Sequence, residues 1–263
     1  MEDLVTISFL VPTLGTRYDE LKRLLESLER QESKCFEVVV VAQGNYEVVE
    51  ELCFKYDDSF RIQYVRDERK GLSRARNCGL PYCKGDIVVL SDDDCWYPKD
   101  AVKQIYQYFE RNSCDVVLTQ IYDEKKGIYY KNYSPNEECI KSPFSLLSRS
   151  SIEIAFKKEL ASKEFDEAFG LGAQYVCCEE IDFLLRVYKA GARVVYVPNI
   201  TVYHEKKYQT KNKHRIVAKG ALYAKNFNVL IGILICVRDL ILKRENNFKL
   251  FFKGYYEYIK REN

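Results

Sequence analysis

The chain has 263 residues, of which 47% are hydrophobic and 30% charged, so it can build one large soluble domain or one domain with an appendage. Its ten cysteines include no C-x-x-C pair and no zinc-ligand spacing, which excludes a zinc-binding module and predicts reduced thiols. The formal net charge is only +2, but residues 205–263 hold 14 Lys and Arg against 5 Asp and Glu, whereas residues 1–204 hold 27 against 34.

The first 120 residues alternate between predicted strands and predicted helices. Apolar or alternating runs predict strands at Val5–Val11, Phe36–Ala42, Arg61–Arg66 and Asp86–Leu90. Helices are predicted around Leu21–Leu28, over residues 46–56, over residues 72–83 with Ser73 as a candidate cap, and from Pro98 onward. Continuous apolar strands that alternate with amphipathic helices indicate an α/β fold, in which a mostly parallel sheet is covered by helices on both faces.

The pattern changes after a fifth predicted strand at Asp115–Ile121. Residues 122–148 are rich in loop-forming residues, with a hairpin predicted around Lys125–Gly127. Two further strands, Ser151–Phe156 and Arg193–Val197, flank a helix predicted at Glu180–Ala190 and ended by Gly191. From about Glu205 the chain becomes basic, aromatic and helical in pattern, so we place the boundary of an appendage there.

Polar clusters follow three of the predicted strands: Thr13–Arg17, Gln43–Asn45 and Asp92–Asp94. In sheets of this type ligands bind outside the carboxyl ends of the strands, so the three clusters are expected to converge. The three consecutive carboxylates after the apolar run Ile87–Leu90 need cations, because ionised groups lose too much hydration on burial. A divalent metal that carries a phosphorylated ligand would supply them, and the alternative is a solvated acidic turn.

Five segments, taken in order, resemble the motifs of family 2 glycosyltransferases of the GT-A fold. They are Val11-Pro12-Thr13-Leu14 with Leu25–Gln31; Lys70–Gly79, similar to Gly-x-x-x-Ala-Arg-Asn-x-Gly; Ser91–Asp94 with Pro98, similar to the Asp-x-Asp region; Phe165–Glu167 with Glu179–Arg186; and Tyr203-His204-Glu205. The resemblance covers roughly residues 4–205, and the ordered set is highly specific. It implies a Rossmann-like GT-A domain over residues 1–205, with a nucleotide-sugar half to about residue 120 and an acceptor half over 121–205. It also implies an inverting transfer from a nucleotide-diphosphate sugar.

The resemblance assigns a set of residues to the nucleotide sugar. They are Pro12, Thr13, Arg17, Gln43, Gly44, Arg69, Arg74, Arg76, Asn77 and Asp92. Thr13 would contact the base or the ribose, and Asp92 would lie near the ribose. Arg69, Arg74 and Arg76 would contact the diphosphate or its loop, unless they form a solvated basic helix face. Family members usually carry an Asp that hydrogen-bonds the uracil where this chain has Ala42 or Gln43. A glutamine also donates and accepts hydrogen bonds, so a contact with the base remains open to Gln43. UDP therefore stays the favoured nucleotide.

The resemblance also assigns a metal site and a general base. Mn²⁺ or Mg²⁺ prefers oxygen ligands and would bind through Asp93, with His204 as a nitrogen ligand and Asp94 either ligating or shaping the loop. Glu180 takes the general-base position, which is usually an Asp in the family, and Glu179 stays an alternative. Two adjacent acids repel each other, which can raise one pKa into a useful range, although acids are also common at a helix N-terminus. Asp182 is expected to hold the acceptor or its loop.

The C-terminal segment, residues 206–263, is open to two interpretations. Its apolar and aromatic residues could pack on the domain or form a dimer contact, or they could lie on an anionic membrane face. Its longest apolar run, Val229–Val237, is too short to span a bilayer, and the start of the chain lacks the basic region of a signal peptide. We therefore predict a cytoplasmic protein. If the segment contacts lipid, the protein would be peripheral on the inner face of the membrane. If the segment forms a dimer contact, the protein would be a homo-oligomer. No nucleic-acid partner is predicted.

The leading hypothesis is a metal-dependent glycosyltransferase that acts on a glycan or a lipid-linked acceptor, such as a growing bacterial surface glycan. One alternative is a sugar-phosphate nucleotidyltransferase, which would need a glycine-rich phosphate loop, whereas Pro12–Arg17 contains one glycine. The other is a non-catalytic sugar-binding homologue, which would have lost the metal or the base carboxylates, and this chain carries both sets.

Overall fold

One mixed β-sheet organises the part of the chain that the computed structural model describes, residues 6–207, 213–243 and 247–262. Its strands are β1 (Ile7–Thr13), β2 (Phe36–Ala42), β3 (Arg61–Arg66), β4 (Ile87–Leu90), β5 (Val116–Asp123), β6 (Ile128–Tyr129), β7 (Glu138–Cys139), β8 (Ile154–Lys157) and β9 (Val194–Tyr203). They lie in the order β3-β2-β1-β4-β8-β5-β9-β7, and β6 pairs with β5. The long ladders β1–β2, β2–β3 and β5–β9 are parallel, whereas β8 runs antiparallel between β4 and β5. The first half of the sheet therefore has the parallel arrangement that places strand ends at one edge.

Helices cover both faces of this sheet. They are α1 (Tyr18–Glu29), α2 (Tyr46–Phe54), α3 (Leu72–Gly79), α4 (Ala101–Asn112), α5 (Glu179–Lys189), α6 (Lys213–Asn226), α7 (Val229–Lys243) and α8 (Phe248–Glu262). Side chains alternate across a strand, so neighbours in β1 enter different cores. Phe9 joins the cluster that includes the buried leucines of α1, and Leu10 joins the cluster that includes Phe183 of α5. The predicted mostly parallel α/β architecture with helices on both faces is confirmed.

Several predicted boundaries were wrong by a few residues. The helix predicted over 72–83 ends at Gly79 and continues as a short 3-10 turn, and Ser73 does not cap it. Gly71 precedes this helix, and the Ser73 hydroxyl donates instead to the carbonyl of Phe169 at 2.6 Å. The helix predicted from Pro98 begins only at Ala101, whose N–H bonds the Pro98 carbonyl at 3.1 Å. Local sequence signals locate such ends less sharply than tertiary contacts do.

The later elements also differ from their predicted extents. The predicted strand Ser151–Phe156 begins with a 3-10 turn and becomes β8 only at Ile154. The strand predicted at Arg193–Val197 continues as β9 to Tyr203, because its second half also pairs with β5 across an irregular register. The hairpin predicted around Lys125–Gly127 is confirmed, since Tyr122 pairs with Tyr129 across it.

The C-terminal helices pack on the domain. Ala218, Leu222, Phe251 and Tyr255 are buried in the same core cluster as Phe183. Helices α6 and α8 cross closely at two glycines: a Cβ at Gly220 would lie 2.1 Å from the Phe251 carbonyl oxygen, and one at Gly254 would lie 1.9 Å from that of Val217. None of the described helices is long and apolar enough to cross a bilayer. The helical character predicted for this segment is confirmed, while the domain boundary at residue 205 stays a prediction.

Candidate active site

Two adjoining cavities lie at the carboxyl ends of the parallel strands. The smaller, of about 200 Å³, is lined by residues that follow β1 and β2, including Pro12, Thr13, Arg17 and Gln43. The larger, of about 410 Å³, is lined by Asp92, Glu179, Glu180 and His204. Leu72 and Leu171 line both cavities, and the Leu72 N–H bonds the Leu171 carbonyl at 2.9 Å. The structure thus brings four of the predicted donor residues to one cavity and both predicted base residues to the adjoining one.

Gln43 holds the loop that closes the smaller cavity. Its Nε2 donates to Asp67 Oδ2 at 2.8 Å and to the Arg69 carbonyl at 2.6 Å, while its Oε1 accepts from the Gly71 N–H at 3.0 Å. Arg69 therefore contacts this site through its backbone, and the Arg74 guanidinium pairs with Asp67 at 3.3 Å. Asp67 was not among the predicted site residues, although it directly follows β3 just as the three recognised clusters follow their own strands.

Gly44 is required where two loops approach each other. A Cβ at this position would lie 2.9 Å from the Leu14 carbonyl oxygen. Beside it, Gly15 has a φ of +67°, in the left-handed region that glycine tolerates best, and its carbonyl accepts from Asn45 Nδ2 at 2.9 Å. Gly44 and Gly15 together let the loop after β1 and the loop after β2 form one wall of the smaller cavity.

The acidic triplet divides into three different environments. Asp92 faces the larger cavity and pairs with Arg76 at 3.4 Å. Asp93 is buried, accepts from the Thr13 hydroxyl at 2.6 Å and lies 2.6 Å from Arg17 Nη2. Asp94 contacts Arg17, His204 and Lys207. One motif therefore sends a carboxylate to each cavity and a third to a cluster of cations.

Burial and these partners shift the pKa values of Asp93 and Asp94 in opposite directions. Burial raises the pKa of Asp93 to about 6, although the Thr13 hydrogen bond and the Arg17 charge oppose the rise. Burial acts the same way on Asp94, but hydrogen bonds from His204 and Lys207 outweigh it and hold the Asp94 pKa well below its usual value. Asp94 is thus the more acidic carboxyl group of the pair.

The donor atoms around Asp93 and Asp94 fit a hard divalent cation. Asp93 Oδ1 is buried and has no hydrogen-bond partner among the described residues; Arg17 Nη2 lies 2.6 Å from it, and the charges of Asp94 and Asp92 oppose that of Arg17. His204 Nε2 lies 3.1 Å from Asp94 Oδ1, so a nitrogen lies side by side with the carboxylate that is next to Asp93 in the chain. Within the described residues no preformed group of three His, Cys, Asp or Glu side chains encloses a metal position. One or two carboxylates plus substrate phosphates are the usual way in which Mg²⁺ is held.

The two adjacent glutamates on α5 have different surroundings. The Glu179 carboxylate is buried and pairs with Arg76 Nη1 at 3.0 Å, and Arg76 itself has no exposed surface. Glu180 is half-buried as a residue, but its Oε2 is buried without a hydrogen-bond partner in the described structure. Burial, followed by repulsion from Glu179, raises the pKa of Glu180 well above its usual value. Arg76 therefore neutralises Glu179, and Glu180 is the less compensated acid.

Several predicted site residues line neither cavity, and two of them, Asn77 and Asp182, connect elements of the fold. Asn77 joins α3 to the segment before α5, since its Nδ2 donates to the Phe165 carbonyl at 2.8 Å and its Oδ1 accepts from the Phe165 N–H at 2.7 Å. Asp182 is fully buried and bonds Arg186, Lys225 and Asn226 at 2.8 to 2.9 Å. Asp182 thus ties α5 to α6.

Comparisons with known proteins agree with this geometry. Residues 8–170 match the model of the family described as "Glycosyl transferase family 2". An uncharacterized glycosyltransferase of Haemophilus influenzae is 30% identical over 209 residues, which is 73% of this chain and 65% of that protein. Glycosyltransferase GlyA of Streptococcus pneumoniae is 31% identical over 133 residues, 49% of this chain and 19% of that protein. The chain therefore spans less than two thirds of the length of these relatives.

Two solved structures show the same fold. S. aureus TarS 1–349 in complex with UDP-GlcNAc superposes with a TM-score of 0.70 at 19% identity, covering 93% of this chain and 75% of that one. Mannosyltransferase PcManGT from Pyrobaculum calidifontis, in complex with GDP-Man and Mn²⁺, superposes with a TM-score of 0.59 at 17% identity, covering 89% of this chain and 64% of that one. These likenesses confirm the GT-A type of fold that the sequence motifs imply.

Proposed function

Since the chain belongs to glycosyl transferase family 2, we propose that it moves a sugar from a nucleotide-diphosphate sugar, preferably UDP-linked, to a hydroxyl of a glycan or lipid-linked acceptor. One observation carries this proposal: two adjoining cavities share Leu72 and Leu171, with Asp93 on the smaller and Glu180 on the larger. A donor in the smaller cavity would present its sugar to an acceptor in the larger one. That TarS binds UDP-GlcNAc in the same fold supports a donor of this class.

The proposed reaction needs no enzyme nucleophile. The acceptor hydroxyl oxygen forms a bond to the anomeric carbon while its proton passes to a carboxylate oxygen of Glu180. The bond between the anomeric carbon and the diphosphate oxygen breaks on the opposite face, so the configuration inverts and the diphosphate leaves with the electron pair. Arg76 fixes Glu179 and Asp92 on the wall of the larger cavity, 3.0 and 3.4 Å from its guanidinium nitrogens.

A divalent cation completes the proposed donor site. Asp93, Asp94 and His204 would hold Mn²⁺ or Mg²⁺, and the cation would stabilise the charge of the leaving diphosphate as a Lewis acid. Arg17 bridges both carboxylates and so marks where positive charge is needed. The Mn²⁺ complex of the Pyrobaculum mannosyltransferase, which has the same fold, supports this assignment.

Release of nucleoside diphosphate from a panel of nucleotide sugars tests the proposed function. UDP-linked sugars are expected to be turned over with Mn²⁺ or Mg²⁺ present, and GDP- and dTDP-linked sugars more slowly. The matched control is the same protein with excess chelator. If no sugar nucleotide in the panel yields nucleoside diphosphate under any of these conditions, the proposed function is wrong.

The C-terminal helices fit a lipid surface, and we include this contact in the proposal. Leu230, Leu234 and Ile241 are exposed at helical spacing on α7, and Phe248, Phe252 and Tyr256 are exposed at spacings of four on α8. Exposed Lys249 and Lys253 adjoin the aromatic stripe. Apolar and aromatic side chains next to lysines are the composition of helices that lie in the interface of an anionic membrane.

Vesicle sedimentation tests this contact. Vesicles that contain phosphatidylglycerol are expected to bind the protein. The double variant Leu230→Ser, Leu234→Ser should bind these vesicles at least about tenfold more weakly, because the membrane contact loses two leucines. Val48→Ser, an exposed apolar residue on α2, is the matched control. Unchanged vesicle binding by the double variant, or a dimer that these two changes dissociate, would contradict the membrane contact.

A further inference from the structure

The cavity that contains Glu180 has a basic wall supplied by the C-terminal segment. Arg215 of α6 lines this cavity together with Asp92 and Glu179. Lys219 lies one helical turn further along the same helix. Among the residues that the structure describes, neither Arg215 nor Lys219 has an ion-pair partner within 4.0 Å.

Arg215 lines the cavity, and the charge of Lys219 also acts on a residue of its wall. The pKa of Cys177, another residue of the cavity wall, is lowered first by its hydrogen bond with Cys178 and then by the charges of Arg215 and Lys219. Burial raises the pKa of Tyr130 on the same wall, and Arg215 opposes that rise. Two like charges one turn apart on a helix repel each other. The placement of Arg215 and Lys219 without an acid between them is therefore not explained by the stability of α6.

Apart from Glu180, the proposed base, the acids at or beside the cavity have other partners than these cations. Arg76 already pairs with both Asp92 and Glu179. Asp94 has its own partners in Arg17, His204 and Lys207. In addition, Nδ1 of His204, which lines the same cavity, is buried without a hydrogen-bond partner in the described residues. The wall therefore offers a guanidinium and a ring nitrogen that have no partner among the described residues, and the Lys219 ammonium belongs to the next turn of α6.

We propose that Arg215 and Lys219 form an anion subsite for the acceptor, so that the preferred acceptor carries a phosphate or phosphodiester close to the hydroxyl that receives the sugar. A guanidinium binds phosphate oxygens in a bidentate manner, and a neighbouring ammonium adds a point charge. The subsite rests on the proposed function for its meaning, because it defines the substrate class of the cavity that contains Glu180. The diphosphate of the nucleotide-sugar donor is the other phosphate group that these two cations could bind.

Equilibrium binding distinguishes the two sources. With UDP saturating the donor cavity, the wild-type protein is expected to bind glucose 1-phosphate at least tenfold more tightly than methyl glucoside. Arg215→Gln should reduce this preference about tenfold, and Lys219→Gln should reduce it less, since one charge-assisted contact corresponds to about that factor. Lys213→Gln, which removes a charge from the same helix outside the cavity wall, is the matched control and should keep the preference.

Titration with UDP alone provides the second arm. Arg215→Gln is expected to change the Kd for UDP by less than about twofold. Weaker UDP binding with an unchanged preference for glucose 1-phosphate would assign Arg215 to the donor diphosphate and overturn the proposal. Equal binding of glucose 1-phosphate and methyl glucoside by the wild-type protein, including no binding of either, would also overturn it. These measurements need no turnover, so their failure is distinct from a failure to release nucleoside diphosphate, which would refute the proposed function.

Discussion

Replacing Glu180 with glutamine is expected to lower the turnover number for sugar transfer by about a hundredfold to ten-thousandfold, the range that a positioned general base contributes. The amide has nearly the shape of the carboxyl group but cannot accept the proton of the acceptor hydroxyl. Glu180 Oε2 is buried and unpaired in the described structure, so no ion pair of the fold is lost. Affinity for UDP should stay within about twofold, because Glu180 lies in the larger cavity and not in the smaller one.

The pH profile makes the Glu180 assignment sharper. A base must be ionised, and burial and Glu179 raise the pKa of Glu180, so kcat/KM should fall as the pH falls through a value above the ordinary range of a glutamate. Glu179→Gln removes the repelling charge and should move this acidic limb to lower pH. Glu179→Gln also leaves the buried Arg76 with Asp92 as its remaining ion-pair partner, so the melting temperature of this variant should fall. Full activity in Glu180→Gln together with loss of activity in Glu179→Gln would transfer the base role to Glu179.

Asp93→Asn is expected to reduce metal-stimulated release of nucleoside diphosphate by about a hundredfold or more, since Lewis-acid stabilisation supplies several kcal/mol. The asparagine can still accept from Thr13 but carries no charge for a cation. Its affinity for Mn²⁺ in the presence of UDP, followed by the paramagnetic resonance signal of the free ion, should weaken in parallel. Asp86→Asn, an exposed acid at the other end of β4, is the matched control.

Two outcomes would contradict the metal assignment. One is turnover that survives complete removal of divalent ions by a chelator. The other is wild-type Mn²⁺ affinity in Asp93→Asn, which would show that the carboxylate of Asp93 serves Thr13 and Arg17 alone. A loss of activity without a loss of Mn²⁺ affinity would likewise separate the catalytic need for Asp93 from metal binding.

The position of the site could be predicted from sequence because it depends on a general property of parallel sheets. Asp92–Asp94 follow an apolar strand, and strand ends meet at one edge of the sheet. The partners of each acid could not be predicted. Arg17 reaches Asp93 and Asp94 from a loop about 76 residues earlier, and only the fold brings the two segments together. The different roles of three consecutive acids follow from contacts that a local motif does not contain.

The two glutamates illustrate the same limit at a smaller scale. In sequence they are equivalent neighbours at the start of a helix. In the structure Cys178 precedes them with a φ of +81°, and Glu179 points to Arg76 while Glu180 does not pair with it. Likewise, the excess of positive charge after residue 205 was visible in the sequence, but not that Arg215 returns to the wall of the larger cavity. Asp182 lies in the matching motif, yet its hydrogen bonds are to Arg186, Lys225 and Asn226.

The hydrogen bonds that join α5 to α6 have a consequence for how the proposed acceptor specificity can change in evolution. The smaller cavity is built from residues 12–172, whereas the larger one takes Arg215 from the C-terminal segment. Lys225 and Asn226 hold that segment to Asp182, on the helix that carries Glu180. If the two cavities bind acceptor and donor as proposed, substitutions on the cavity-facing side of α6 would change which acceptor is recognised and leave the donor site intact. The two halves of the specificity can evolve at different rates within one chain.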